Sequence, residues 1–201
     1  SNTASGGNST ISGGYQNTAS GCMSTVRGGY NNTSSAYFST VGGGRCNTSS
    51  NYNTTVSGGY CNTSSSKYST VGGGFKNNST GLNSTIGGGV SNTASGNYST
   101  VGGGSANIVS GNTSSVVGGY CNTTSGSYSF IGGGTLNTSS GYYSFIGGGT
   151  DNGIGGWYSS VTGGRCNLIT AGGDGMAIVG GLCNKIFGGG YATSIVGGYF
   201  N

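Results

Sequence analysis

Asn92-Thr93-Ala94-Ser95-Gly96-Asn97-Tyr98-Ser99-Thr100-Val101-Gly102-Gly103-Gly104 is the stretch that decides the fold, because close relatives of it fill the whole chain. Its asparagine recurs at Asn2, Asn17, Asn32, Asn47, Asn62, Asn77, Asn92, Asn107, Asn122, Asn137, Asn152 and Asn167, twelve positions with an unbroken period of 15. The next two intervals lengthen to 17 and give Asn184 and Asn201. A fixed period of this length is the mark of a repeat architecture in which each unit stacks on its neighbours.

A second column is equally strict. Ile11, Val26, Val41, Val56, Val71, Ile86, Val101, Val116, Ile131, Ile146, Val161, Ile178 and Ile195 are all β-branched, and each is followed one residue later by a Gly-Gly pair. The two longer repeats keep this column if their additional residues precede the strand, near Gly172-Gly173-Asp174 and Gly188-Gly189-Gly190. Residues 1–166 therefore form the regular 15-residue part and residues 167–201 continue it with 17-residue coils.

Local chemistry assigns the elements. Ser-Thr-Val and Ser-Phe-Ile runs favour strand, and alternation puts Ile/Val and the Ser two before it on one face, with Thr and Tyr on the other. The Asn-Thr-Ala-Ser run likewise turns Asn and Ala/Ser inward and Thr and Ser outward. Glycines supply the positive φ of the tight corners. Helix is untenable, since each Gly costs about 1 kcal/mol relative to Ala. The expected fold is all-β, a parallel β-solenoid of about 13 coils with 15 residues per coil. Stacked at roughly 4.8 Å, the coils would extend about 60 Å. The inward asparagines would form a ladder of side-chain amides, as in other cross-β stacks.

Composition narrows the function classes. The chain has 49 glycines, no proline, no histidine and 4% charged residues. Disorder does not call for Ile or Val at fixed spacing, and collagen needs Gly at every third position. The net charge of +4 comes from Arg27, Arg45, Lys67, Lys76, Arg165 and Lys185, spread singly rather than clustered as nucleic-acid binding requires. No apolar run approaches the roughly 20 residues of a membrane span. Ser1-Asn2-Thr3-Ala4 lacks the charged and apolar regions of a signal peptide, and the chain starts and stops in mid-repeat, as expected of a piece of something longer. Asp151 and Asp174 are the only carboxylate side chains and lie in different coils, the Gly-Gly-Gly runs lack a phosphate loop's Lys-Ser/Thr, and no Cys-x-x-Cys pair is present. Neither catalysis nor a cofactor or metal site is expected.

The quoted stretch and its relatives resemble the head repeats of trimeric autotransporter adhesins and the related repeats of phage tail fibres. That resemblance implies a left-handed β-roll, three chains side by side, and an extracellular adhesive or fibrous role on a cell or virion surface. The family's repeat is one residue shorter, and its Ala-rich inner position is Val or Ile here. The residues carried over are the Ile/Val column and the corner glycines.

The outward positions hold the remaining candidates. Five of six cysteines, Cys46, Cys61, Cys121, Cys166 and Cys183, stand just before the asparagine. Cys46 with Cys61, and Cys166 with Cys183, fall on adjacent coils, with Cα atoms about 4.8 Å apart, inside the disulfide window of roughly 4.4–6.8 Å. Rung-to-rung bridges are expected there, with free thiols or bridges to other chains as the alternatives; Cys22 and Cys121 have no stacked partner. Asn8, Asn53, Asn83, Asn97 and Asn112 are glycosylation candidates at corners, whereas acceptors within the inward Asn column would be sterically closed. Tyr15, Tyr30, Tyr60, Phe75, Tyr120 and Tyr199 form one aromatic column, and Phe38, Tyr68, Tyr98, Tyr128, Tyr143 and Tyr158 another. These are either an oligomer interface or scattered corner aromatics. The leading expectation is a fibre or adhesin segment that self-associates into a homo-oligomer and meets a host-surface or glycan receptor. Two alternatives stand beside it: an ice-binding face built on rows such as Thr18-x-Ser20 and Thr33-x-Ser35, and a polysaccharide-binding face built on the aromatic columns.

Overall fold

In the computed structural model, residues 1–188 and 191–201 are described; Gly189 and Gly190, where the second insertion is expected, lie outside them. The described residues are all-β, with twenty-six two-residue strands among them forming thirteen coils of a parallel β-solenoid. Among the described residues no helix is long and apolar enough to cross a membrane. Two compact units, residues 1–98 and 99–201, are taken in turn.

In the first unit one sheet runs from Thr3–Ala4 to Thr93–Ala94 and the other from Thr10–Ile11 to Thr85–Ile86. Pairing is parallel and in register, so Thr18 lies over Thr33 and Val56 over Val71. The second unit repeats the arrangement, from Thr100–Val101 to Ser194–Ile195 and from Ile108–Val109 to Lys185–Ile186. The longer coils keep the register: Val161 pairs with Ile178, and Ile178 with Ile195. A third line of single-residue bridges, Tyr15–Tyr30–Arg45–Tyr60–Phe75 in the first unit, closes each coil on a side for which the sequence pattern gave no strand.

The inner columns are buried as the alternation requires. Val26 through Ile86, and Val101 through Ile178, have no exposed surface, while Ile11 and Ile195 in the outermost coils are half-buried. Each such side chain contributes about 1.5–3 kcal/mol by leaving water. Beside it on the same strand is the inward Ser two residues before, and facing that Ser across the coil is the residue two after the asparagine. In the first unit this is Ala or Ser, and Ser34 bonds Ser39 at 2.7 Å, as Ser64 bonds Ser69. In the second unit it is Val109, Thr124 and Ser139, which still bonds Ser144, and then Ile154, Ile169 and Ile186, so only the last three coils with this position buried carry an apolar residue there in succession.

The asparagine ladder runs inside the corner. Asn62 donates through Nδ2 to the carbonyls of Gly58 at 2.9 Å and Gly74 at 2.8 Å, and its Oδ1 accepts from the Asn77 backbone N–H at 2.9 Å. One amide thus ties its own corner to the next coil twice. Asn17, Asn32, Asn47, Asn62, Asn77, Asn92, Asn107, Asn122, Asn137, Asn152, Asn167 and Asn184 are buried, and the terminal Asn2 is exposed. This geometry makes the corner glycine obligatory. At Gly59, φ is +89° and an added Cβ would stand 2.2 Å from the Gly74 carbonyl oxygen and 2.6 Å from Asn62 Nδ2.

Glycine is not, however, the general source of positive φ expected from the sequence. Twenty-five other residues hold φ between 50° and 60°, in two columns: the one before the asparagine, and the one containing Phe38, Tyr68 and Tyr143. Left-handed backbone costs an L-residue about 1–2 kcal/mol. It persists because it turns the N–H back toward the preceding coil: Cys46 donates to the Tyr30 carbonyl at 3.0 Å and Phe38 to that of Cys22 at 3.1 Å. The chain therefore bonds in both directions within one corner, and the N–H of the left-handed residue is paired rather than left to solvent.

Candidate functional site

Every inward side chain is committed to stacking, so chemistry directed outside the protein has to come from the outer columns. Thr18, Thr33, Thr48 and Thr63 lie half-buried on the outer face of the first sheet, and the same positions become Ile108, Gly153, Leu168 and Lys185 farther along. On the other sheet Thr25, Thr40, Thr55 and Thr70 make a second outward row, replaced by Phe130 and Phe145, which stack at 5.5 Å. Neither face repeats one residue type throughout.

In-register stacking brings identical rings into contact, in the offset geometry that aromatic quadrupoles favour. Tyr15 stacks on Tyr30 at 5.9 Å and Tyr60 on Phe75 at 5.3 Å. Arg45 fills the rung between them, its guanidinium 5.3 Å from the Tyr30 ring and 5.4 Å from that of Tyr60. Lys76 adds a contact of 5.1 Å with Phe75. Arg45 and Lys76 thus act as members of an aromatic ladder, each cation–π contact being worth about 0.5–1 kcal/mol at an exposed site. The second aromatic column divides. Phe38 packs edge-on against Tyr37 and Tyr52, whereas Tyr128, Tyr143 and Tyr158 form an unbroken stack at 4.7 and 5.2 Å. Desolvation, followed by the adjoining Tyr143 phenol, holds the Tyr142 hydroxyl above the usual phenol range.

All six cysteines are free thiols, which corrects the expected Cys46–Cys61 and Cys166–Cys183 bridges. The Cα spacing meets the disulfide criterion, but a parallel in-register step moves Cβ by the same amount. Two Cβ atoms about 4.8 Å apart exceed the roughly 3.5–4.5 Å that a disulfide spans. The thiols find other partners on the preceding coil: Asn31 Nδ2 donates to Cys46 Sγ at 3.6 Å, and Cys166 Sγ donates to Asp151 Oδ2 at 3.4 Å. The Asp151 hydrogen bond, followed by that with Cys183, pushes the Cys166 thiol up; a hydrogen bond with Cys121 likewise raises the Tyr120 phenol. Asp151, Cys166 and Leu168 also line a groove of about 440 Å³ in the second unit, with Gly153 between Thr138 and Leu168 in register.

The corner sequons separate by exposure. Asn8, Asn53, Asn97 and Asn112 are exposed and Asn83 is half-buried, while the acceptors of the inward column are closed by burial. Trp157, Asp174 and Tyr191 carry no repeat signal and escape a search by period. They share one register line, Trp157 bridging to Asp174 and Asp174 to Tyr191. The indication in the sequence is the two-residue lengthening of the coil beside the chain's single tryptophan. No protein-family model matches the chain, and no curated protein is significantly similar to it.

Proposed function

We propose that the chain is a structural repeat segment of an extracellular fibre or surface adhesin, a rigid rod whose outer face mediates attachment or fibre assembly. The observation that carries this reading is the division of labour between columns. The inward Asn, Ile/Val and Gly positions are spent on coil-to-coil bonding and hardly vary, while charged and aromatic side chains stand on the outer faces. Stacks of this kind derive stability from nearest-neighbour interfaces and tolerate change on the surface. The exposed Tyr, Phe and Val columns supply apolar area for self-association, with a homotrimer as the assembly implied by the adhesin-head resemblance.

Electron microscopy of the native material, combined with analytical ultracentrifugation of the purified chain, tests the proposal. Elongated particles repeating near 4.8 Å along their length, with a sedimenting mass of about three chains, are expected. A monomer that neither self-associates nor retains a surface to which it attaches would overturn it.

A further inference from the structure

Tyr128, Tyr142, Tyr143, Trp157 and Tyr158 converge on one corner of the second unit, and that corner changes shape where the coil lengthens. Ring stacking uses up ring faces: Tyr143 has Tyr128 on one side and Tyr158 on the other. Tyr158 is covered on one side only. The residue in its register on the next coil is Gly175, whose N–H bonds the Trp157 carbonyl at 3.1 Å and which has no side chain to lay over the ring. Trp157 has Tyr142 beside it at 6.1 Å, with Asp174 on the next coil and Tyr191 on the one after. Trp157 is 56% exposed, Tyr158 58% and Tyr191 83%.

The longer coil supplies a wall. Ile154 pairs with Ile169 and Trp157 with Asp174, so Gly155-Gly156 on one coil faces Thr170-Ala171-Gly172-Gly173 on the next. Ala171, Gly172 and Gly173 of the longer segment, with Gly155, Trp157 and Asp174, border an open pocket of about 310 Å³. Met176 stands in register with the inward Ser159 of the preceding coil and is buried at 1% exposure, filling the interior at this corner. An added Cβ on Gly156 would lie 2.7 Å from Met176 Cε, so the corner closes onto that side chain. The pocket is thus a supported feature of the coil.

We infer that this corner binds an extended, uncharged polysaccharide, a reading that rests on the outer face being an attachment surface. A pyranose ring has an apolar C–H face, which lies against an aromatic ring, and a rim of hydroxyls, which donate to a carboxylate. Trp157 and the uncovered face of Tyr158 provide the platform, and Asp174 the acceptor. Tyr191, two coils from Trp157, stands about 9.6 Å along the stack, roughly the length of a disaccharide in an extended chain. Asp174 is the charged side chain of this corner; Arg165 and Lys185 belong to other columns. A lone carboxylate disfavours uronates and sialylated chains, and selects neutral ones.

Trp157 is the single tryptophan, so its emission reports on this corner alone. The experiment is a fluorescence titration of the full chain with cellohexaose, mannohexaose and chitohexaose, with polygalacturonate as the anionic comparison. At least one neutral oligosaccharide is expected to produce a saturable shift, with polygalacturonate inactive. Tyr158→Ala should weaken that binding by about tenfold and Asp174→Asn severalfold, each variant retaining the parent's circular dichroism. Tyr15→Ala, in the first unit, should leave it unchanged. Indifference of Trp157 to all three neutral oligosaccharides, a response to polygalacturonate alone, or equal binding by Tyr158→Ala would overturn the inference. The titration needs no assembly, so its failure is distinguishable from failure of the fibre proposal, which microscopy and sedimentation decide.

Discussion

Replacing Asn62 by alanine removes a group that three backbone sites depend on. Its Nδ2 bonds to the Gly58 and Gly74 carbonyls disappear, as does the Oδ1 acceptor for the Asn77 N–H. At about 0.5–1.5 kcal/mol net for each bond, the direct loss is roughly 1.5–4.5 kcal/mol. The consequences for the three partners differ. The Gly74 carbonyl still accepts from the Tyr60 N–H at 2.9 Å, but the Asn77 N–H is left buried without an acceptor, at about 1–3 kcal/mol. Since the orphan penalty partly overlaps the bond term, Asn62→Ala is expected to cost about 3–5 kcal/mol. In a stacked repeat the loss falls on one inter-coil interface, so two-state analysis is unsafe and unfolding should become stepwise. Urea denaturation followed by circular dichroism reads the magnitude, and amide hydrogen exchange reads the place, with Asn77 losing the most protection. Asn53→Ala, at an exposed left-handed corner of the kind that also accommodates Ala106, is the control and should lie within about 1 kcal/mol of the parent. If Asn62→Ala were no more costly than Asn53→Ala, or left exchange at Asn77 unchanged, the amide ladder would not be what couples the coils.

Adjacent glycines should behave oppositely. Gly59→Ala drives a Cβ into the Gly74 carbonyl at positive φ and should cost more than about 3 kcal/mol, while at Gly58 the nearest atom is 4.0 Å away and alanine should be tolerated; thermal melts of the two variants compare them. Ala19→Ser should stabilise by about 0.5–1.5 kcal/mol, because the buried Ser24 hydroxyl faces Ala19 without a partner, whereas Ser39 at the same place in the next coil bonds Ser34; urea midpoints measure it. The Cys166 thiol, raised by Asp151, should alkylate with a pH profile displaced upward, since less thiolate is present at any given pH; Asp151→Asn should move the profile down, as followed by mass spectrometry of the Cys166 peptide. All six thiols should titrate with a disulfide reagent in the unfolded chain without prior reduction.

The Asn, Ile/Val and Gly-Gly columns are legible in the sequence because translation along the stack imposes one environment on each of them. At Gly59 the clash is with backbone, which no neighbouring residue can move aside, and so the column does not vary. The left-handed corners are hidden for the opposite reason. Their side chains point outward, where Asn8, Lys76, Tyr128 and Cys166 are all accommodated, and the constraint falls on an N–H that every residue but proline possesses. The absence of proline from all 201 positions is its faint trace. The cysteine pairing misled because a Cα distance ignores direction: stacked residues in a parallel sheet keep their Cβ vectors parallel, which suits rings lying face to face and does not suit a disulfide.

The same translational logic explains why the candidate sugar-binding corner sits where it does. In a regular stack each outward ring is covered by the residue one coil on, so a column of aromatics buries its faces and exposes mainly its edges. An open face arises only where the column ends or its next member is small. Tyr158 meets that condition because Gly175 follows it, and Trp157 because Asp174 does. Lengthening the coil at 171–173 adds the wall that a regular coil has no residues to build. A column that ends without such a wall offers a ring and nothing beside it: Phe75 is followed by Val90, an apolar side chain that brings no hydrogen-bonding group to a ligand. A binding site in a stack of near-identical coils must therefore be looked for at its irregularities, and Tyr158→Ala is the substitution that removes this one while leaving the inward columns untouched.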